Sequence, residues 1–191
     1  MKKIFAVLSI ALCCIIFTAC NSNQKKDKDA IPDIKKTVED NPGANKGAGT
    51  YSISGPAGWE KLDTIISGAK VTTLKSPPDG PGDQFRENVT VTTEAAQGYD
   101  YKSYTEANRK TIADQLTGFL LLSDEETPIG GLPAKALVYS FKYADYNLKN
   151  TAYFTVKNNI GYVITCTALN STFDRFQPEF KTCVNSFTVN N

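Results

Sequence analysis

Histidine is absent from the 191 residues of this chain. Histidine is the side chain that titrates nearest to neutral pH, and it is the commonest protein ligand for transition metals. Its absence excludes a Ser-His-Asp or Cys-His catalytic site and removes the usual general base. We therefore expect a protein that is not an enzyme and that uses no cofactor and no histidine-based metal centre.

An excess of charge of one sign is also lacking. The chain has 21 basic and 20 acidic side chains, and their signs are well mixed. Removal of a leader with Lys2 and Lys3 would leave 19 basic side chains against the 20 acidic ones. Since nucleic-acid binding rests on a positive field, we expect no nucleic-acid partner.

The one long apolar run stands at the start of the chain. Met1-Lys2-Lys3 is positively charged, and Ile4 to Thr18 is mostly apolar. This run is short for a membrane span but has the order of an export signal. Its end, Phe17-Thr18-Ala19-Cys20, resembles the lipobox of bacterial lipoproteins, although that family usually has an aliphatic residue where this chain has Phe17. The resemblance implies that residues 1–19 are a signal peptide and that Cys20 is acylated, with the lipid bilayer as the first partner.

Large apolar residues are scarce in the segment that follows. Residues 20–49 contain Lys25-Lys26-Asp27-Lys28-Asp29 and a stretch rich in glycine from Asn41 to Gly49. Such a composition buries too little surface to offset the entropy of ordering. We predict a lipidated, flexible tether over residues 20–49 and one folded domain over residues 50–191.

Only two cysteines remain after the signal and the lipidated position, Cys166 and Cys183. An even pair in an exported domain is compatible with a disulfide. Two free thiols packed as small apolar side chains are the alternative. The sequence leaves both open.

A hairpin from Thr151 to Ala168 is the strongest structural signal. It is rich in β-branched and aromatic residues, and Asn158-Asn159 tolerates the positive φ of a two-residue turn. This turn sets Phe154 opposite Val163, Tyr153 opposite Ile164 and Thr155 opposite Tyr162. Both faces of the hairpin are then largely apolar, which predicts a central position with cover on both sides.

Two helices flank this sheet in the prediction. Asp100 is a suitable N-cap for a helix from about Tyr101 to Thr117, with Gly118 at its end. A last helix carries one apolar face, and Pro178 places either a kink or the start of that helix near itself. Its face consists of Phe173, Phe176, Phe180 and Cys183. Strands are predicted around these helices at Tyr51–Ser54, Val71–Leu74, Phe85–Glu94, Phe119–Leu122, Ala134–Tyr143 and Ser186–Val189.

This order of elements resembles the PsbP-like family, in particular its DcrB-like bacterial lipoproteins. The resemblance extends from about Tyr51 to Val189. It rests on Pro56-Ala57-Gly58-Trp59, Phe85-Arg86-Glu87-Asn88-Val89-Thr90-Val91, Ile129-Gly130-Gly131-Leu132-Pro133-Ala134, Gly161-Tyr162-Val163-Ile164-Thr165 and Ser186-Phe187. It implies an α+β fold, a PsbP-like α/β/α sandwich with an antiparallel sheet of six or seven strands between helices. The histidine-based metal sites proposed for photosynthetic members have no counterpart in this chain.

Aromatic residues mark the one candidate ligand surface. Tyr139 and Tyr143 share a strand face, and Tyr146 follows beyond the next turn. Tyrosine suits ligand sites because it joins apolar area to a polar tip. Cross-strand packing explains the same spacing equally well.

The expected function is that of a non-catalytic binding or assembly module. It would be anchored by its lipid in the cell membrane or outer membrane, outside the cytoplasm, with another envelope protein as partner. The alternative is a lipoprotein that binds a small ligand or a metal through this aromatic surface and through acidic residues such as Asp124-Glu125-Glu126.

Overall fold

The computed structural model describes residues 50–66 and 69–190. The predicted signal peptide, acylated Cys20 and tether lie outside these residues and stay predictions. None of the helices within the described residues is both long enough and apolar enough to cross a membrane.

The hairpin at the centre of the fold joins β7 (Tyr146–Lys157) to β8 (Ile160–Leu169). Asn158 and Asn159 form its turn, with φ angles of 55° and 62°. Phe154 pairs with Val163, as predicted, and the other two predicted pairs are also present. The register inferred from the turn is therefore confirmed.

Within the described residues, nine strands form two antiparallel sheets. The larger one has seven strands in the order β2-β3-β4-β8-β7-β6-β5, and the smaller one pairs β1 with β9. The remaining strands are β1 (Tyr51–Ser52), β2 (Glu60–Ile66), β3 (Ala69–Lys75), β4 (Asn88–Ala95), β5 (Leu120–Glu126), β6 (Lys135–Tyr143) and β9 (Thr188–Val189).

Helix α1 spans Tyr101–Gln115 and begins where the sequence predicts. Asp100 accepts a hydrogen bond from the Ser103 backbone N–H at 2.8 Å, and the Ser103 hydroxyl lies 3.2 Å from the Asp100 backbone N–H. These bonds satisfy donors that the first helical turn leaves without partners. The hydrogen bonds from Ser103 lower the pKa of Asp100, which keeps the cap charged and favourable near a helix N-terminus.

Helix α2 spans Gln177–Asn185, with Pro178 in its first turn. Of the two predicted alternatives, the helix begins at the proline. The fixed φ of proline suits this position, and no helical N–H is lost there. Phe173 and Phe176 precede the helix and Phe180 and Cys183 lie within it, and all four pack into one core cluster.

The two described helices cover opposite faces of the larger sheet. Residues that alternate along each strand therefore pack into two separate cores. On β8, Tyr162, Ile164 and Cys166 join the cluster that contains α2, whereas Val163 joins the cluster that contains α1. We call these sides of the sheet the α2 face and the α1 face. The predicted α+β sandwich with its antiparallel sheet is confirmed.

The structure adds one strand to the prediction, β2, and lengthens another, β7. β2 was not predicted, because this edge strand carries charged residues and leaves Leu62 and Ile65 exposed, so it has no clear apolar alternation. β7 begins at Tyr146 and not at Thr151, because the polar residues Asn147, Lys149 and Asn150 hide the start of a strand that is central to the sheet.

Candidate functional site

The predicted tyrosine surface falls at one end of the α1 face. Tyr143 and Tyr146 pair across the β6–β7 hairpin and are both partly buried. The ring of Phe85 lies 5.6 Å from that of Tyr146. The structure thus brings two of the three predicted tyrosines together and adds Phe85.

Tyr139 lies deeper than a surface residue. It is 1 % exposed, and its ring lies 5.5 Å from that of Phe119 and 5.9 Å from that of Phe141. Its hydroxyl accepts a hydrogen bond from the Asn150 side-chain amide at 3.2 Å. Tyr139 belongs to the core beneath the aromatic end. Whether Tyr143 and Tyr146 contact a ligand stays a prediction.

A polar stretch continues from this aromatic end along β4, β8 and β7. Thr167 stands between Asn88 and Asn150, which pair with it from either side, and Thr90 pairs with Thr165 one step further along. Thr90 and Asn150 are only 2 % and 4 % exposed. We call the five residues Asn88, Thr90, Asn150, Thr165 and Thr167 the polar stretch.

Two buried oxygens of the polar stretch stand out. Thr90 Oγ1 and Asn150 Oδ1 have no hydrogen-bond partner in the part of the chain that the structure describes. Buried polar atoms in native proteins are nearly always hydrogen-bonded, so each exception calls for an explanation. Sequence alternation places both residues on the α1 face, but it cannot show which oxygens lack a partner.

Tyr104 of α1 marks the far end of the polar stretch. Its hydroxyl donates to Glu94 Oε1 at 2.5 Å, and its ring contacts the backbone of Gly161. Burial, and then the Glu94 carboxylate, raises the pKa of Tyr104 well above its usual value. The phenol is therefore neutral at ordinary pH and donates to the carboxylate.

The acidic residues at the end of β5 form ion pairs. Asp124 lies 2.6 Å from Lys135, and Glu126 lies 2.7 Å from Lys102. The hydrogen bond from Lys102 lowers the pKa of Glu126. Among residues 50–66 and 69–190, no group of three histidine, cysteine or acidic side chains is placed to hold a metal ion. The geometry of the described residues gives no support to the metal-binding alternative.

Cys166 and Cys183 lie in the same core cluster and are both free thiols, 0 % exposed. Burial raises the pKa of Cys183 to about 11, and burial together with the neighbouring Cys183 raises the pKa of Cys166. Both groups are therefore protonated and unreactive at neutral pH. The helix-on-hairpin packing predicted for the pair is present, and the disulfide stays a prediction.

The only tryptophan, Trp59, lies at the rim of the α2-face cluster. Its ring is 6.5 Å from that of Phe176 and 6.4 Å from that of Phe180. It is partly buried. These contacts hold the turn before β2 against α2.

Comparison with known proteins bears on the fold. No protein-family model and no curated protein matches the chain. Solved structures do match it. LpqN of Mycobacterium tuberculosis, a protein involved in cell envelope biogenesis, is 15% identical over 83% of this chain and 97% of its own, with a TM-score of 0.62.

Two further structures are similar. A Pseudomonas aeruginosa protein of unknown function is 17% identical over 69% of this chain and 99% of its own, with a TM-score of 0.57. Cyanobacterial PsbP, CyanoP of Synechocystis, is 15% identical over 73% of this chain and 86% of its own, with a TM-score of 0.52. At these identities the likeness shows the fold alone. The chain has the PsbP-like fold, as the sequence resemblance predicted.

Proposed function

We propose that this protein is a membrane-anchored, extracytoplasmic lipoprotein that acts as a non-catalytic binding or assembly module. The anchor is acylated Cys20, in the cell membrane or the outer membrane. The tether over residues 20–49 holds the PsbP-like domain at the membrane surface, where it binds another envelope protein.

The observation that carries the proposal is the export signal ending at Cys20, ahead of a domain with this particular fold. LpqN, which shares the fold, is described as involved in cell envelope biogenesis. A shared fold does not fix a shared activity, so the likeness supports only the setting.

The two edge strands support a role in binding proteins. Leu62 and Ile65 on β2 are 48 % and 38 % exposed, and Leu120 and Leu122 on β5 are 58 % and 48 % exposed. Each strand pairs on one side only within the described sheet. An edge strand with exposed apolar side chains is a common docking place for an added strand.

The anchor is tested with Cys20→Ser in the native cell. The variant should move from the membrane fraction to the soluble fraction, because acyl chains supply the attachment. Cys14→Ser is the matched control, since Cys14 lies inside the predicted signal. A Cys20→Ser protein that stays in the membrane, together with a wild type that carries no lipid mass, would show that the anchor is wrong.

The partner is tested with a photo-crosslinking residue at Leu62 or Leu120, and at the exposed Lys110 of α1 as control. We expect a crosslink to one envelope protein from an edge position and none from Lys110. A crosslink from all three positions, or from none, contradicts edge-strand docking.

A further inference from the structure

The outer edge of β5 carries a charged residue near each end, Glu125 and Lys142, and neither forms an ion pair within the described residues. We propose that this edge binds the same edge of a second copy of the chain, with the two β5 strands antiparallel about a two-fold axis. The proposal rests on the proposed function of this protein as a binding module at a membrane. It assigns the β5 edge to self-association and leaves the β2 edge to the envelope protein.

The two charged residues lie on the same face of the sheet. Glu125 pairs with Ala136, and Lys142 lies six residues further along β6. Leu137 and Phe141 on β6 belong to the α1-face cluster, so Ala136 and Lys142, at alternate positions, point to the α2 face. Six residues of strand place the two charges about 20 Å apart along the edge.

The stretch between the two charges is apolar. Leu120 and Leu122 are 58 % and 48 % exposed. Leu120 pairs with Ser140, which also points to the α2 face, and Leu122 lies in a register shift between Leu121 and Ser123. From one end to the other, the exposed edge therefore presents a cation, two leucines and an anion.

The Lys142 side chain lies at the β5 edge although its backbone is part of β6. The Lys142 backbone N–H donates to the Thr117 carbonyl at 2.8 Å. Its side chain then passes over Gly118, because the Lys142 Cγ is 3.7 Å from the position of a Cβ built there. The side chain thus covers the segment that enters β5, and it is exposed.

Reversal of the strand direction makes this edge complementary to itself. A two-fold axis perpendicular to the sheet sets the Glu125 end of one β5 beside the Gly118 end of the other. Glu125 then faces Lys142 of the second copy at both ends of the pair, and the leucines meet in the middle. The pairing also gives partners to the backbone N–H and C=O groups on the outer side of β5.

The β2 edge lacks this property because its charges have partners within the chain. Glu60 lies 2.8 Å from Arg86, and Asp63 accepts a hydrogen bond from the Thr72 hydroxyl at 2.5 Å. The two charges of the β5 edge gain their partners only from another molecule. A second copy supplies the opposite charge at each end, which selects it over a partner of unrelated sequence.

The two-fold axis also suits attachment to one membrane. Tyr51 and Ile53 belong to the α2-face cluster, so β1 lies on the α2 face. An axis perpendicular to the sheet keeps the α2 faces of both copies on the same side, and the predicted tethers then leave the dimer together. A shared anchor raises the local concentration of the edges, which offsets the small area of a seven-residue strand edge.

The experiment is photo-crosslinking of the full-length chain in the native cell. The crosslinking residue replaces Leu122, and the cell expresses two copies of the chain with different tags. We expect a crosslinked product that carries both tags. The same residue at Leu62, on the β2 edge, is the matched control and should give no product with both tags.

Charge reversal at the two ends tests the pairing itself. Glu125→Lys or Lys142→Glu, present in both tagged copies, sets like charges against each other at both ends and should lower the yield about tenfold. One copy with Glu125→Lys and the other with Lys142→Glu should restore the yield, because each opposite-charge pair forms again. Lys110→Glu and Asp114→Lys, at exposed positions of α1, are control reversals that should leave the yield unchanged.

Thermal unfolding of the purified variants checks that both reversals leave the fold intact, as exposed side chains should. The proposal is overturned if Leu122 gives no product with both tags, if neither reversal lowers the yield, or if the mixed pair does not restore it. A crosslink from Leu122 to a different envelope protein alone also overturns it, and leaves the docking of the proposed function standing. A dimer product without any envelope-protein crosslink from Leu62 would remove that docking partner and leave the dimer.

Discussion

Gly161 is predicted to be irreplaceable because Tyr104 occupies the space above it. A Cβ built at Gly161 would meet the Tyr104 hydroxyl oxygen at 2.5 Å and its Cε2 at 2.8 Å. Tyr104 is 4% exposed, and its hydroxyl is bonded to Glu94. Gly161→Ala therefore displaces the ring, and with it the start of α1.

The magnitude follows from three contributions. Overpacking of a core costs about 1–3 kcal/mol. Loss of the hydrogen bond to the Glu94 carboxylate costs about 1.5–3 kcal/mol. Alanine in a strand regains about 0.5–1 kcal/mol over glycine. We expect Gly161→Ala to lower the free energy of unfolding by about 1.5–5.5 kcal/mol.

Urea unfolding followed by fluorescence of Trp59 measures this change. The tryptophan lies on the α2 face, so it reports loss of the whole fold and not of the mutated contact. With a slope of about 2 kcal/mol/M, the urea midpoint should fall by about 1–3 M. Gly82→Ala is the control, because a Cβ there meets nothing within 4 Å.

A double-mutant cycle tests whether the loss of stability comes from the clash with the Tyr104 ring or from placing any side chain at position 161 of the strand. Tyr104→Leu removes the ring, so adding Gly161→Ala to that variant should cost at least 1 kcal/mol less than it costs in the wild type. An additive pair, or a Gly161→Ala protein as stable as wild type, would refute the reasoning.

Three further predictions concern a turn, the thiols and a tyrosine. Gly130→Ala should destabilise the protein by about 2–4 kcal/mol, because φ is +54° and a Cβ would meet the Phe187 carbonyl oxygen at 2.7 Å. Mass spectrometry of non-reduced protein decides between the two alternatives for Cys166 and Cys183: a bridge lowers the mass by two hydrogens before reduction, whereas buried free thiols resist alkylation until the protein unfolds. Tyr153 should ionise near pH 12 in ultraviolet titration because burial raises its pKa to about 12. Since the unfolded phenol ionises near pH 10, stability should fall as the pH rises from about 10 to 12.

Each of these has a contrasting result. Gly131 has a φ of +75° and open space around a Cβ, so Gly131→Ala should cost only backbone strain. Equal losses of stability in Gly130→Ala and Gly131→Ala would show that the contact with Phe187 contributes nothing to the cost at Gly130. Two alkylated cysteines in unfolded, oxidised, unreduced protein would exclude the bridge. A native titration with every tyrosine ionising near pH 10 would contradict the burial of Tyr153.

The sequence predicts this fold wherever local chemistry and burial agree. Asn158-Asn159 permits one tight turn, and that turn fixes the pairing of β7 with β8. Pro178 fits only the start of α2. β2 escaped prediction because an edge strand is stabilised by its backbone pairing with β3, which needs no apolar alternation.

The candidate site is harder to predict for a physical reason. Alternation assigns Thr90 and Asn150 to a face of the sheet, but it cannot show which polar atoms find partners across strands. Tyr139 shows the opposite case. Its spacing fits a ligand surface, but its neighbours Phe119 and Phe141 enclose it in the core. Partnering depends on contacts between distant segments, and a single sequence does not record them.

The small sheet of β1 and β9 has a consequence for the order in which the domain is completed. Tyr51 pairs with Val189, so the first described strand closes against the last one. During synthesis the chain emerges from its N-terminus, so nearly the whole domain is made after Tyr51 before Val189 becomes available as its partner. The ring of Tyr51 then packs 5.9 Å from that of Phe187, and this contact holds β1 and the residues before β9 against the completed core. The fold of the domain is complete only when synthesis has delivered β9.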